Sequence, residues 1–213
     1  MARRLLLLLA NTTALPMASY NHEERRLIVE IGITSHRRED CDRYLEHMCR
    51  SFTTQWRSGA ELRVGSHSFE HAWLQIEAGL VLDFPTRCRA FALPELSKGW
   101  TSYLVQRSDL ILFLCRATIA DIDAAVASMD RVRRLAAEAG VPIVVVWLDV
   151  DPGKVHLVTA GPESEAPMVA VPRSSNNPEG HRLALRAALH HAIGQLPNAV
   201  LEEVGRAFGQ IDP

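Results

Sequence analysis

Leu110-Ile-Leu-Phe-Leu-Cys115 and Ile143-Val-Val-Val-Trp-Leu148 are two unbroken apolar runs, and the stretch between them decides the fold. Runs this short and rich in branched residues read as strands covered on both faces. Residues 121–139 between them place Ile122, Val126, Met129, Val132, Leu135 and Ala139 at helical spacing. Gly140 stands where a helix C-cap belongs, and Pro142 lies just beyond it. Strand, amphipathic helix, strand is the βαβ unit of a parallel sheet.

Working outward, Arg26-Leu-Ile-Val-Glu-Ile-Gly-Ile33 is another strand pattern entering a turn. Residues 38–56 carry Tyr44, Leu45, Met48 and Phe52 at helical spacing, which predicts a helix ending at Gly59. Residues 71–81 fit strand or helix equally. Short strands are expected at 87–93 and 168–171, and helices at 101–107, 180–196 and 200–208. The fold class that follows is α/β, with a mostly parallel central sheet between helical layers. Ligands of such sheets bind beyond the carboxyl ends of the strands, so the loops to inspect start at Gly32, Leu93, Arg116, Asp149 and Pro172.

The chain has 213 residues, 47% hydrophobic and 23% charged, with a net charge of −2. Those values fit an ordinary folded domain and exclude a coiled-coil rod or a collagen. A near-neutral balance and 6% aromatic residues argue against a nucleic-acid partner. Cys41, Cys49, Cys88 and Cys115 form no C-x-x-C pair, and scattered thiols point to a reducing, cytoplasmic setting. Cys41 falls at a helix start, where its pKa would drop. Leu5 to Leu9 and Ala10 follow two arginines, but this apolar run is far too short to span a bilayer. We expect residues 1–21 to form an arm, 22–197 the domain, and 198–213 a short helix and tail, with no integral membrane segment.

Three constellations bear on chemistry. The first is Gly32-Ile-Thr-Ser-His-Arg-Arg-Glu-Asp-Cys-Asp42 after the first strand. A phosphate-binding loop there would read G-x-x-x-x-G-K-[ST]. Gly32 survives, but Arg37 stands at the second glycine, Arg38 at the Lys and Glu39 at the hydroxyl position. Glu39 and Asp40 would repel phosphate. The second is His67-Ser-Phe-Glu-His71, an H-x-x-E-H pattern. On a helix, His67 and His71 would bind zinc on one face, with Glu70 as general base. The third is a set of aromatics, Trp73, Phe84, Trp100 and Tyr103, of the kind that anchors interfaces.

From residue 69 to 148, the order of elements resembles the bacterial Ras-like small GTPases, especially the gliding-motility and polarity group. A switch-like segment comes first, then a strand ending at Leu93-Pro94 and a short helix ending at Arg107-Ser-Asp109. The two apolar runs and their helix follow. Residues 168–196 are similar too, with Ser174-Ser175 in the loop before the closing helix. The likeness extends over roughly residues 22–197. It implies a Ras-like three-layer sandwich. It also implies a nucleotide site at Gly32, Arg37, Arg38, Asp151 and Ser174, and protein partners bound through switch segments 66–82 and 93–103, with Trp73, Trp100 and Tyr103. The family's D-x-x-G is replaced by Leu93-Pro-Glu-Leu-Ser97. Its N-K-x-D falls on Trp147-Leu-Asp-Val-Asp151, which keeps only the Asp. The site is therefore vestigial. The expected function is a pseudo-GTPase regulatory module that engages a protein partner. No catalytic residue, resident metal or cofactor is expected, and any GTP or GDP binding would be weak. The alternatives are a zinc hydrolase at His67, Glu70 and His71, or a working GTPase with a divergent site.

Overall fold

The computed structural model describes residues 19–21, 23–64, 67–93, 98–116, 122–151, 168–172, 178–196, 201–202 and 205–206. The elements in order are β1 (Ser19–Asn21), β2 (Arg26–Ser35), α1 (Arg38–Ser51), β3 (Thr53–Val64), β4 (His67–Val81), β5 (Phe84–Leu93), α2 (Lys98–Arg107), β6 (Leu110–Arg116), α3 (Ile122–Ala139), β7 (Ile143–Val150), β8 (Met168–Pro172) and α4 (Pro178–Gly194). One mixed sheet holds all the described strands, in the order β3-β4-β5-β2-β6-β7-β8, with β1 beside β2 off this path. From β5 to β8 all neighbours are parallel. The two apolar runs pair in parallel as predicted, Ile111 beside Ile143 and Cys115 beside Trp147. β3, β4 and β5 form an antiparallel meander. β1 pairs antiparallel with residues 26–28 of β2, so the last residues assigned to the arm belong to the sheet.

Alternation along the strands divides the interior into two cores. Leu27, Val29, Ile31 and Ile33 of β2 point to the side where α1 supplies Tyr44, Leu45 and Met48 and α4 supplies Leu185, Leu189 and Ile193. Phe91, Leu93, Ile111, Phe113 and Val145 point the other way, against Leu104 and Val105 of α2 and Val132 and Ala136 of α3. Helices thus cover both faces, as a buried parallel sheet requires.

Two expectations are corrected, and one open choice is decided. α1 ends at Ser51, with Phe52 extended and its N–H donating to the Met48 carbonyl at 3.1 Å; Trp56 lies on a strand. The β-branched pair Thr53-Thr54 outweighs the apolar spacing that carried the helix onward. Residues 67–81 are strand throughout. On α3 the stripe is rotated: Ala125 and Ala136 face the core, and Val126 is exposed. Gly140 does cap α3, at φ +68°. The β4–β5 turn puts Leu82 and Asp83 both at positive φ, the backbone of a tight hairpin built without glycine. Among the described residues, no helix is long and apolar enough to cross a membrane.

Candidate functional site

The carboxyl ends of β2, β6 and β7 lie side by side, and the first turn of α1 starts there. Strand β2 runs on to Ser35 and α1 begins at Arg38, so only His36 and Arg37 connect them. A phosphate-wrapping loop needs several residues between strand and helix, with glycine where the backbone turns toward the ligand. Two residues leave no such loop.

Gly32 is not part of a turn. It lies inside β2, paired with Phe91 on one side and Ile111 on the other. A Cβ built on it would overlap the Ser108 Oγ and come within 3.0 Å of Leu104 Cδ1. The missing side chain lets α2 and its C-terminal turn approach the sheet, which is what an interior strand glycine commonly signals. Ser108 is itself fixed there, its hydroxyl donating to the Leu104 carbonyl at 2.6 Å.

At the start of α1 the structure places an anion of its own. The Asp40 side chain has no exposed surface. The Arg116 Nε, at the end of β6, donates to Asp40 Oδ1 at 2.6 Å. Ser35 Oγ donates to Asp40 Oδ2 at 3.4 Å and accepts the Arg37 N–H at 3.2 Å. Asp149, at the end of β7, lies 3.8 Å from Arg116 Nη1 and 3.7 Å from Arg43 Nη1. Two carboxylates and two guanidiniums therefore balance one another at the sheet edge. Asp149 adopts φ +56°, a left-handed backbone that a non-glycine residue adopts at a cost of roughly 1–3 kcal/mol.

Beside this cluster, His181 of α4 stacks on His47 of α1 at 4.3 Å and meets Tyr44 edge-on at 5.3 Å. Burial, reinforced by His47, pushes the His181 pKa down to about 4, with Asp149 opposing the shift. Cys41 reverses its expectation. Burial pushes its thiol up to about 12, with Asp40 and Asp42 adding to the shift, so desolvation overrides the helix dipole.

The predicted nucleotide residues take these places. Gly32 is under α2, while Arg37 and Arg38 are exposed at the start of α1, Arg38 3.7 Å from Asp42. Asp151 is exposed just past β7. Ser174 lies outside the described residues. For the H-x-x-E-H pattern the helical premise is corrected. His67 and His71 lie on extended backbone about 13 Å apart along the strand, with Glu70 at an alternate position. Among the described residues no group of three or more His, Cys, Asp or Glu is placed to hold a metal ion.

Three of the four aromatics pack against one core, and Phe84 does not. Trp73, Trp100 and Tyr103 are half-buried on the α2–α3 side and pack against the same core. Tyr103 meets Phe91 edge-on at 6.4 Å, and the Arg89 guanidinium lies 5.3 Å from the Trp73 ring centre. Phe84 is half-buried against the other core. Sequence reasoning missed Arg43 and His47 of α1 and His181 of α4, and it named Arg116 and Asp149 only as the starts of loops. The signal for those two was polarity at strand ends next to apolar runs. No family model matches the chain, and no curated protein matches it.

Proposed function

We propose that the chain is a pseudo-GTPase-like interaction module, a Ras-like sandwich that no longer hydrolyses GTP and acts by binding a protein partner. The observation that carries this reading is the Asp40–Arg116 pair at the α1 N-terminus. A helix N-terminus at the carboxyl edge of a parallel sheet is where a phosphate would bind. A buried internal carboxylate there repels phosphate and already engages the nearest guanidinium. The two-residue β2–α1 connection and the strand position of Gly32 support the same conclusion. A sheet with an antiparallel meander beside a parallel run is compatible with the Ras-like arrangement.

The partner surface in this reading is the half-buried aromatic set Trp73, Trp100 and Tyr103 on the α2 side. Aromatics partly packed on a core and partly open make rigid anchors at low entropic cost. Without a bound nucleotide to move it, that surface is constitutively available, so binding is indifferent to GTP and GDP. The setting is the cytoplasm of a bacterium, consistent with thiols that form no disulfide among the described residues.

Titration calorimetry with GTP, GDP and magnesium tests the first half, and no saturable heat is expected. Micromolar binding with turnover would restore a working GTPase. The second half is tested by capturing partners from the native organism with wild type and Trp100→Ala, with and without each nucleotide. A partner lost only in the folded variant supports the reading, and one that comes and goes with GTP overturns it.

A further inference from the structure

Among the described residues, β3 ends the strand order and is the longer of the two terminal strands. It runs from Thr53 to Val64 without a proline, and among the described residues it pairs only with β4. Its neighbour reaches past the sheet: β4 pairs with β5 only from Leu74 onward, so residues 67–73 have β3 as their only strand partner. The β3–β4 hairpin thus continues roughly 20 Å beyond the last β4–β5 pair. α2 approaches β3, but no described strand pairs with its outer edge. Two-stranded ribbons are marginal alone, and an open edge is a template for another strand.

One feature of β3 selects the occupant. Ser58 faces Ala72 and Glu61 faces Glu70, so residues 59 and 60 together oppose residue 71, a bulge at mid-strand. Before the bulge, Thr54, Trp56 and Ser58 share a face; after it, the same face carries Glu61 and Arg63. A regular strand laid on this edge would go out of phase beyond the bulge, because a one-residue slip exchanges the faces. A second copy, antiparallel about a two-fold axis through the bulge, does not. Bulge then opposes bulge, Ser58 faces Glu61 of the second copy, and Trp56 faces its Arg63. Gln55 and Arg57 likewise face its Val64 and Leu62. Every pair joins positions on the same face, and the contact is self-complementary as a two-fold interface must be. Trp56, 53% exposed in the single chain, takes a paired position in this arrangement.

We infer that the chain is a homodimer joined through β3, with the two sheets continuous across the two-fold axis. This rests on the strand geometry alone and is independent of the nucleotide reading. Sedimentation of the full chain reads the state directly, and a mass twice the 23.7 kDa of one chain is expected. Trp56→Lys sets like charges against Arg63 and should weaken the dimer at least tenfold while leaving the melting temperature of the monomer near wild type. In a Cys49→Ser background, the pair Ser58→Cys and Glu61→Cys should form an intermolecular disulfide on mild oxidation. Thr54→Cys with Glu61→Cys, out of register, should not. This cross-linking decides the matter if Trp56→Lys fails to fold. A monomeric wild type, a dimer unaffected by Trp56→Lys, or a dimer that cross-links out of register instead overturns the inference.

Discussion

Arg116 Nε lies 2.6 Å from Asp40 Oδ1, and the carboxylate it meets is wholly buried. The pair ties the end of β6 to the first turn of α1. Removing one partner of a buried ion pair leaves the other charge uncompensated. Asp40→Asn should therefore cost about 3 kcal/mol in urea denaturation. Arg116→Met should cost a comparable amount, and the double variant distinctly less than the sum. Strict additivity would show that the two side chains do not interact.

Gly32 supplies a test that separates packing from phosphate binding. Gly32→Ala places a methyl against Ser108 Oγ and Leu104. Overpacking of this kind typically costs about 1–3 kcal/mol. Ser108→Ala removes the oxygen in the way, so the double variant should recover part of that loss. A Gly32→Ala protein as stable as wild type would show that the close approach of α2 does not constrain this position.

The parts of this fold that were legible share one property: their environment is set locally. β6 and β7 are covered on both faces and read as apolar runs, and α3 is closed by Gly140. The β3–β4 hairpin was not legible, because an edge strand has no fully buried face and its bulge breaks the alternation that marks strands. The candidate site was the least legible part. A glycine that admits a helix and a glycine that admits a phosphate are the same letter. Asp40 read only as a charge that would repel phosphate, because its partner lies 76 residues away in sequence. Long-range pairing decided the chemistry at both positions.

Thiol reactivity follows from burial. Cys41 and Cys115 are pushed up to about 12, first by burial and then by Asp40, and burial also raises Cys88. Cys49 is only half-buried. Under native conditions a thiol reagent should titrate Cys49 alone, with the other three reacting only on unfolding. Rapid labelling of Cys41, read by mass spectrometry of the labelled peptides, would contradict the packing of the α1 start.

Stability should fall in mild acid through His181. Its ring is sandwiched between α1 and α4, stacked on His47, with Nδ1 buried and lacking a hydrogen-bond partner among the described residues. The folded protein keeps the ring neutral down to about pH 4, while the unfolded chain protonates it near the ordinary 6.5. The unfolded state thus binds the extra proton first. The contribution is complete above about pH 6.5 and is lost progressively as pH falls toward 4. At roughly 1.4 kcal/mol per unit, the full span is worth on the order of 3 kcal/mol, and His47, shifted the same way, adds to it. His181→Phe keeps an aromatic ring between Tyr44 and His47 but cannot titrate. Urea denaturation should show wild type losing stability between about pH 6.5 and pH 4, with a flatter profile for His181→Phe. An equally steep profile in the variant would place the titrating group elsewhere, and a wild type indifferent to pH in this window would mean that the stacked pair is not held neutral.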